Sequence, residues 1–284
     1  MPTPPPASDR PSTTARLRTL RREWLDARGL SAIGRRIYSS RVAFVHVPKC
    51  AGRSVERGLR RAHRWSRGHV HAGATFDQAA GLLGRPIADQ DDRQTVLEAA
   101  SDRRAAVYAY HLALGLGCVT GHAPVNAALV RLHAERHAFV TVLRDPVERF
   151  VSHFRYSYMA EGQGRIDLNL EAFLRTRRAV TFGSMYAKYF AHGVPPERTA
   201  GAVRDCLEQF AAIGFIDDMS RFERDVAAAL GRRVSFGHIN KTATRRSSAP
   251  SEGIDPDLRA EIVRLCAPDR EIYAWARARA DRDG

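Results

Sequence analysis

Apolar positions along the chain follow two periods. Residues 42–47, Val-Ala-Phe-Val-His-Val, form a short and almost wholly apolar run that stops at Pro48, as a buried strand does before a turn. A loop follows, and a helix is expected from near Ser54. A second strand, loop and helix unit runs from His137 to Leu143 through Arg144, Asp145 and Pro146. Asp145 is a good N-cap and Pro146 suits the first helical turn. Beyond them Val147, Phe150, Val151, Phe154 and Tyr158 repeat at helical spacing as a core-facing stripe, with Ser152 and Arg155 off it. Helical patterns continue over 168–178 and 199–210. Residues 213–216 read as another short buried strand, a helix follows over 221–230, and a closing helix spans roughly 257–279. Strands alternating with helices predict an α/β domain, over 41–280, with a mainly parallel sheet covered on both faces.

The remaining segments carry weaker patterns. Residues 1–14 are rich in Pro, Ser and Thr and are expected to be disordered. Residues 15–40 place Leu17, Leu20, Trp24 and Leu25 at helical spacing under a cover of arginines. That describes an amphipathic helix, lying either on a membrane surface or against its own domain. Residues 63–71 gather His63, His69 and His71 among Arg64, Trp65 and Arg67. Their spacing matches no standard metal motif, so a surface or substrate-facing loop is expected. Residues 237–248 read as a polar, basic loop.

Composition narrows the function. With 284 residues, 44% of them hydrophobic, the chain can bury a substantial core as one large domain plus a tail. A net charge of +14 favours polyanionic partners, whether nucleotides, acidic polysaccharides, nucleic acid or an anionic membrane, although a codon bias toward arginine is an equal source of that charge. The 45 basic residues include only three lysines, Lys49, Lys188 and Lys241. A lysine kept among so many arginines suggests a task for a compact, mobile ammonium. Cys50, Cys118, Cys206 and Cys266 are far apart and form no C-x-x-C pair, which fits a reducing compartment. No run approaches the ~20 apolar residues of a membrane span, and the N-terminus lacks the apolar region of a signal peptide, so a cytoplasmic protein is expected.

Two loops carry candidate anion chemistry. In the first, a strand end delivers the chain to Lys49, Cys50, Ala51, Gly52, Arg53 and Ser54 at a helix N-terminus, where free N–H groups and the helix dipole favour a phosphate or sulfate. Gly52 allows close backbone approach, Lys49 adds a mobile cation, and Ser54 offers a hydroxyl or a cap. The loop is not a nucleotide-triphosphatase P-loop, which would need glycine at Val47 and lysine at Arg53. Nor does it fit the cysteine-phosphatase pattern, because Glu56 stands where the arginine belongs; a nucleophilic Cys50 is not expected. In the second loop, Arg144 at a strand end and Ser152 two turns into the next helix suit a phosphate monoester. Arg144 paired with a carboxylate, and Ser152 merely solvated, is the alternative. A further alternative makes 139–143 with Asp145 the magnesium-binding strand of a kinase; capping by Asp145 is the simpler account. Between the two loops in sequence lies His122, in Gly-His-Ala-Pro, the best-placed general base among 11 histidines or else an ordinary partly buried one.

Taken in order, residues 44–54, 121–122, 141–155, 213–216 and 240–242 resemble the Golgi-type carbohydrate sulfotransferases, nearest to the heparan and uronyl 2-O-sulfotransferase group and its bacterial relatives. The resemblance covers about 41–275, and the Arg-Asp-Pro-x-x-Arg-x-x-Ser block beginning at Arg144 is its most specific part. It implies a single-domain, P-loop-like α/β fold with a central parallel sheet flanked by helices on both faces. It also implies sulfuryl transfer from 3′-phosphoadenosine 5′-phosphosulfate (PAPS) to a carbohydrate or glycoconjugate hydroxyl, without a metal. Carried over, the 49–54 loop binds the 5′-phosphosulfate with Lys49 on the bridging oxygen, Arg144 and Ser152 hold the 3′-phosphate, and His122 takes the acceptor proton. Lys241 and Thr242, with Arg245 and Arg246, match a basic loop closing over the cofactor. The chain departs from the pattern at Cys50 and Arg53, where the family carries hydroxyl residues, and the weak match over 183–193 leaves Lys188 without a role. Acceptor contacts are expected on loops within 63–111 and 160–195. The alternatives are an ATP-dependent small-molecule kinase and a non-catalytic polyanion-binding protein; nucleic acid is not the expected partner, and the oligomeric state is not legible.

Overall fold

A computed structural model describes residues 40–84, 87–160, 164–237 and 253–282. Its strands are β1 (Val42–Val45), β2 (Arg67–Val70), β3 (Cys118–Gly121), β4 (Ala138–Leu143) and β5 (Ala212–Phe215). They form one parallel sheet in the order β2-β3-β1-β4-β5. β1 and β3 are buried at every position and β4 at all but its first, so the sheet is covered on both faces.

The helices are α1 (Gly52–Ala62), α2 (Ala72–Leu83), α3 (Gln90–Ala113), α4 (Ala127–His133), α5 (Pro146–Tyr158), α6 (Leu170–Leu174), α7 (Arg177–Gly183), α8 (Met185–Phe190), α9 (Thr199–Leu207), α10 (Met219–Leu230), α11 (Pro256–Leu265) and α12 (Ala267–Arg282). One large apolar cluster joins the sheet to most of them. A smaller one, Phe76, Ala79, Val96 and Ala100, closes the α2–α3 hairpin.

Asp145 caps α5 as its sequence predicts: Oδ1 accepts from Val147 N and Glu148 N at 3.0 Å each, and Pro146 opens the helix. Of the predicted stripe, Val147, Phe150, Val151 and Phe154 are buried, but Tyr158 is exposed because α5 ends there, beyond the edge of the core.

Several boundaries differ from expectation. α1 starts at Gly52 rather than near Ser54, and the closing helix is two helices broken at Cys266. Residues 63–71 are not a surface loop. His63 is fully buried, and Arg67–Val70 pairs with β3, extending the sheet. Nor is 63–111 a variable loop region, since it holds β2 and the two helices of the hairpin. The predicted tail and amphipathic helix (1–39), and Lys241, Thr242, Arg245 and Arg246, lie outside the described residues.

Candidate functional site

β1 and β3 end level with one another, Val45 opposite Gly121, and β4, with Thr141 opposite Val45, runs two residues further to Leu143, so the residues that follow converge at the carboxyl edge of the sheet. Thr141 Oγ1 donates to Val45 O at 2.9 Å and ties that edge together. The loop after β1 is the most constrained backbone there. Lys49 (φ 67°) and Ala51 (φ 58°) are the only non-glycine residues with positive φ among the described residues. Each costs roughly 1–2 kcal/mol in the left-handed region. Left-handed residues on either side of Cys50, at the head of α1, are the kind of backbone from which anion-binding nests are built. α1 has no side-chain cap and no acidic residue in its first turn.

Three cations meet at this loop. Lys49 Nζ lies 3.9 Å from the centre of the Tyr156 ring. Its affinity for a proton is lowered first by burial and then by Arg144 and Arg53. Arg144 Nη1 donates to Lys49 O at 3.5 Å. Among the described residues, none of the three forms an ion pair with a carboxylate. The reading of Arg144 as the partner of a nearby carboxylate therefore finds no support. Ser152 is half-buried on α5 and shares a helical face with Tyr156, four residues on.

Histidines line the other side. His122 Nδ1 lies 2.8 Å from His46 O, so the neutral ring donates there and leaves Nε2 as a proton acceptor. The two imidazoles lie in contact, tilted 32° to one another with centroids 3.9 Å apart. His122 is pushed down to about 3, by burial and then by His46, against the opposing pull of the His46 carbonyl and Glu56. His46 is likewise pushed down to about 3, by burial and then by Arg53. Its Nδ1 lies 3.3 Å from Glu56 Oε1, which also stands 3.7 Å from His69 Nδ1. Both rings are neutral at neutral pH. His46 also fixes residue 52: a Cβ there would lie 2.0 Å from its Cδ2 and Nε2. Glycine at 52 is needed to seat this ring.

No protein-family model matches the chain, and no curated protein matches it. Among solved structures it is similar to the sulfotransferase from Alicyclobacillus acidocaldarius, with 16% identity, a TM-score of 0.40, and coverage of 81% of this chain and 93% of that one.

The remaining predicted residues divide clearly. Cys50 is buried, its thiol reaches Pro48 O at 3.7 Å, and burial pushes it up to about 11. It stays protonated at neutral pH. Ser54 is buried, with its N–H donating to Ala51 O at 3.2 Å, whereas Arg53 is exposed at the head of α1. Lys188, half-buried on α8, does not meet the loop cations through any contact among the described residues; burial lowers its proton affinity, and Glu98 on α3 opposes this.

Four neighbours escaped the sequence reading: His46, Glu56, Tyr156 and Tyr186. His46 carried a signal, a polar residue inside an apolar strand run. Tyr156 carried a weaker one, its i+4 spacing from Ser152. Tyr186 carried none. Its hydroxyl accepts from Arg144 N at 2.9 Å and donates to Arg144 O. Chemically, the arrangement can hold a multiply charged anion and keep a neutral imidazole beside it.

Proposed function

We propose that the chain is a PAPS-dependent sulfotransferase acting on a hydroxyl of a carbohydrate or glycoconjugate in the cytoplasm. The observation that carries the reading is the meeting of Lys49, Arg53 and Arg144, without a carboxylate partner among the described residues, at the strained and uncapped head of α1. Like charges held this close destabilise one another unless an anion joins them. The order of motifs from residue 44 to residue 242 supports a phosphosulfate donor as that anion.

When bound, PAPS supplies an activated sulfuryl group, and the protein positions it and balances its charge. The N–H groups of 49–53 and the Ser54 hydroxyl receive the phosphosulfate. Lys49 follows the charge that builds on the leaving oxygen, for which a mobile ammonium suits better than a guanidinium. Arg144 and Ser152 hold the 3′-phosphate. His122 Nε2 accepts the acceptor's proton as the new S–O bond forms and the bond to the phosphate breaks. An anionic donor also raises the proton affinity of His122, opposing the lowering by burial.

Thermal melting with adenosine 3′,5′-bisphosphate against ATP plus magnesium tests the reading. At about 100 times its dissociation constant the bisphosphate should raise Tm by roughly 5–10 °C. Stabilisation by ATP–magnesium alone would favour a phosphotransferase instead. Binding to heparin with a steep salt slope, and no discrete nucleotide site, would favour a polyanion binder.

A further inference from the structure

Arg144 is held from behind by a buried polar chain that the proposed chemistry does not use. The Tyr186 side chain is fully buried, and its hydroxyl makes both backbone hydrogen bonds of Arg144, accepting from N at 2.9 Å and donating to O. Tyr186 is in turn fixed by Asp269, at the start of α12. Its N–H meets Asp269 Oδ1 and Oδ2 at 3.0 and 2.9 Å, and Ala187 N–H meets Oδ1 at 3.3 Å. Arg149, in the second turn of α5, closes the circuit, with Nη2 4.0 Å from Asp269 Oδ2 and donating to Phe182 O. Arg149 and Asp269 are both fully buried. From Arg144 the chain continues outward, through the Nη1 contact to Lys49 O, into the left-handed loop.

We propose that Tyr186 is a positioning residue for the anion site, fixing the backbone of Arg144 and through it the Lys49 loop, with Asp269 as its anchor. The inference rests on the reading of Arg144 as an anion-binding residue. Three features support a positioning role beyond core packing. A phenylalanine would fill the same space, so packing does not require the hydroxyl. The hydroxyl bonds both backbone groups of Arg144, the residue that follows β4 where the site begins, and it also meets the Cys50 thiol inside the Lys49 loop. The segment 183–193, which matches the sulfotransferase pattern poorly, thereby acquires a role through Tyr186 rather than through Lys188.

The test is Tyr186→Phe in the full chain, with titration of adenosine 3′,5′-bisphosphate and amide hydrogen exchange over residues 49–54. The account expects binding about tenfold weaker, the effect of leaving two backbone groups unpaired. It expects a donor KM that rises more than kcat falls, and faster exchange in the loop. In an Arg144→Ala background the same change should cost little more, because the residue through which Tyr186 acts has lost its guanidinium. Wild-type binding by Tyr186→Phe, or a full additional loss on top of Arg144→Ala, would overturn the inference. If the wild-type chain binds no bisphosphate, the functional reading fails and the exchange measurement decides the inference: faster loop exchange upholds it and unchanged exchange overturns it. Asp269→Asn, should it fold, is expected to shift exchange in the same direction.

Discussion

Gly52→Ala puts the steric logic of the site to a direct test. A Cβ at residue 52 would stand 2.0 Å from Cδ2 and Nε2 of His46 and 2.6 Å from Cε1, where ordinary contact begins at 3.4 Å. The ring must therefore retreat by about 1.4 Å. It has little room to do so, with the His122 ring centroid at 3.9 Å, Glu56 Oε1 at 3.3 Å and the Phe44 ring centroid at 5.5 Å. Overpacking of this kind costs about 1–3 kcal/mol. Replacing glycine by alanine within a helix returns about 1 kcal/mol, so the net loss should stay near 0–2 kcal/mol and the fold should survive. Activity should fall much further. Displacing His122 by about 1 Å from its bonded position against His46 O predicts a loss of roughly a hundredfold in kcat/KM. The assay is sulfate transfer from labelled PAPS alongside a thermal melt. The control is Gly52→Ala combined with His46→Ala, in which the obstructing ring is gone, so the combined loss in Tm should be smaller than the sum of the single losses. Wild-type kcat/KM for Gly52→Ala, or additive losses in Tm, would refute the reasoning.

Lys49→Ala should lower kcat by about 10²–10³ with the fold intact, and Lys49→Arg should not restore it, since a broad guanidinium cannot follow the leaving oxygen; full rescue by arginine in a turnover assay would remove the special role of the ammonium. Arg144→Ala should weaken bisphosphate binding by roughly 10–100-fold in a calorimetric titration, and unchanged affinity would displace Arg144 from the anion site. Stability should fall on acidification. Burial holds His46, His63 and His137 down to about 3, 4 and 4, below the value near 6.5 expected when unfolded, so below pH 6.5 the unfolded chain binds more protons and stability declines as pH drops toward 4. Each contributes a loss of about 2 kcal/mol between pH 7 and 5, and Asp269, which burial pushes up to about 7, offsets about one of the three. A melting temperature that stays flat over that interval would contradict this.

How much of this was legible in the sequence depended on the range of each interaction. The strand, loop and helix units beginning at Val42 and at Ala138 stood out because their apolar runs are bounded by proline and by a helix cap, signals contained within a few residues. The short β2 did not, for Arg67, Gly68, His69 and Val70 carry too few apolar residues to show a period, and pairing with β3 makes the strand. The left-handed backbone at Lys49 and Ala51 was hidden because neither residue prefers it; the packing around the loop imposes it. The contact of His46 with Glu56 was equally hidden, since the two residues lie on different elements. The chain from Arg144 through Tyr186 to Asp269 spans more than a hundred residues and has no local signature. Cys50 shows the opposite case: sequence alone argued against a nucleophile, and burial of the thiol gives the reason.

Transfer of label from sulfur-labelled PAPS to a panel of glycans and glycolipids, with Lys49→Ala and His122→Ala alongside, tests the central claim most directly. The account predicts label on an acceptor hydroxyl with the wild-type chain and a loss of at least about a hundredfold with either variant. No transfer to any hydroxyl acceptor by a folded chain that binds the bisphosphate, or equal transfer by the two variants, would contradict it.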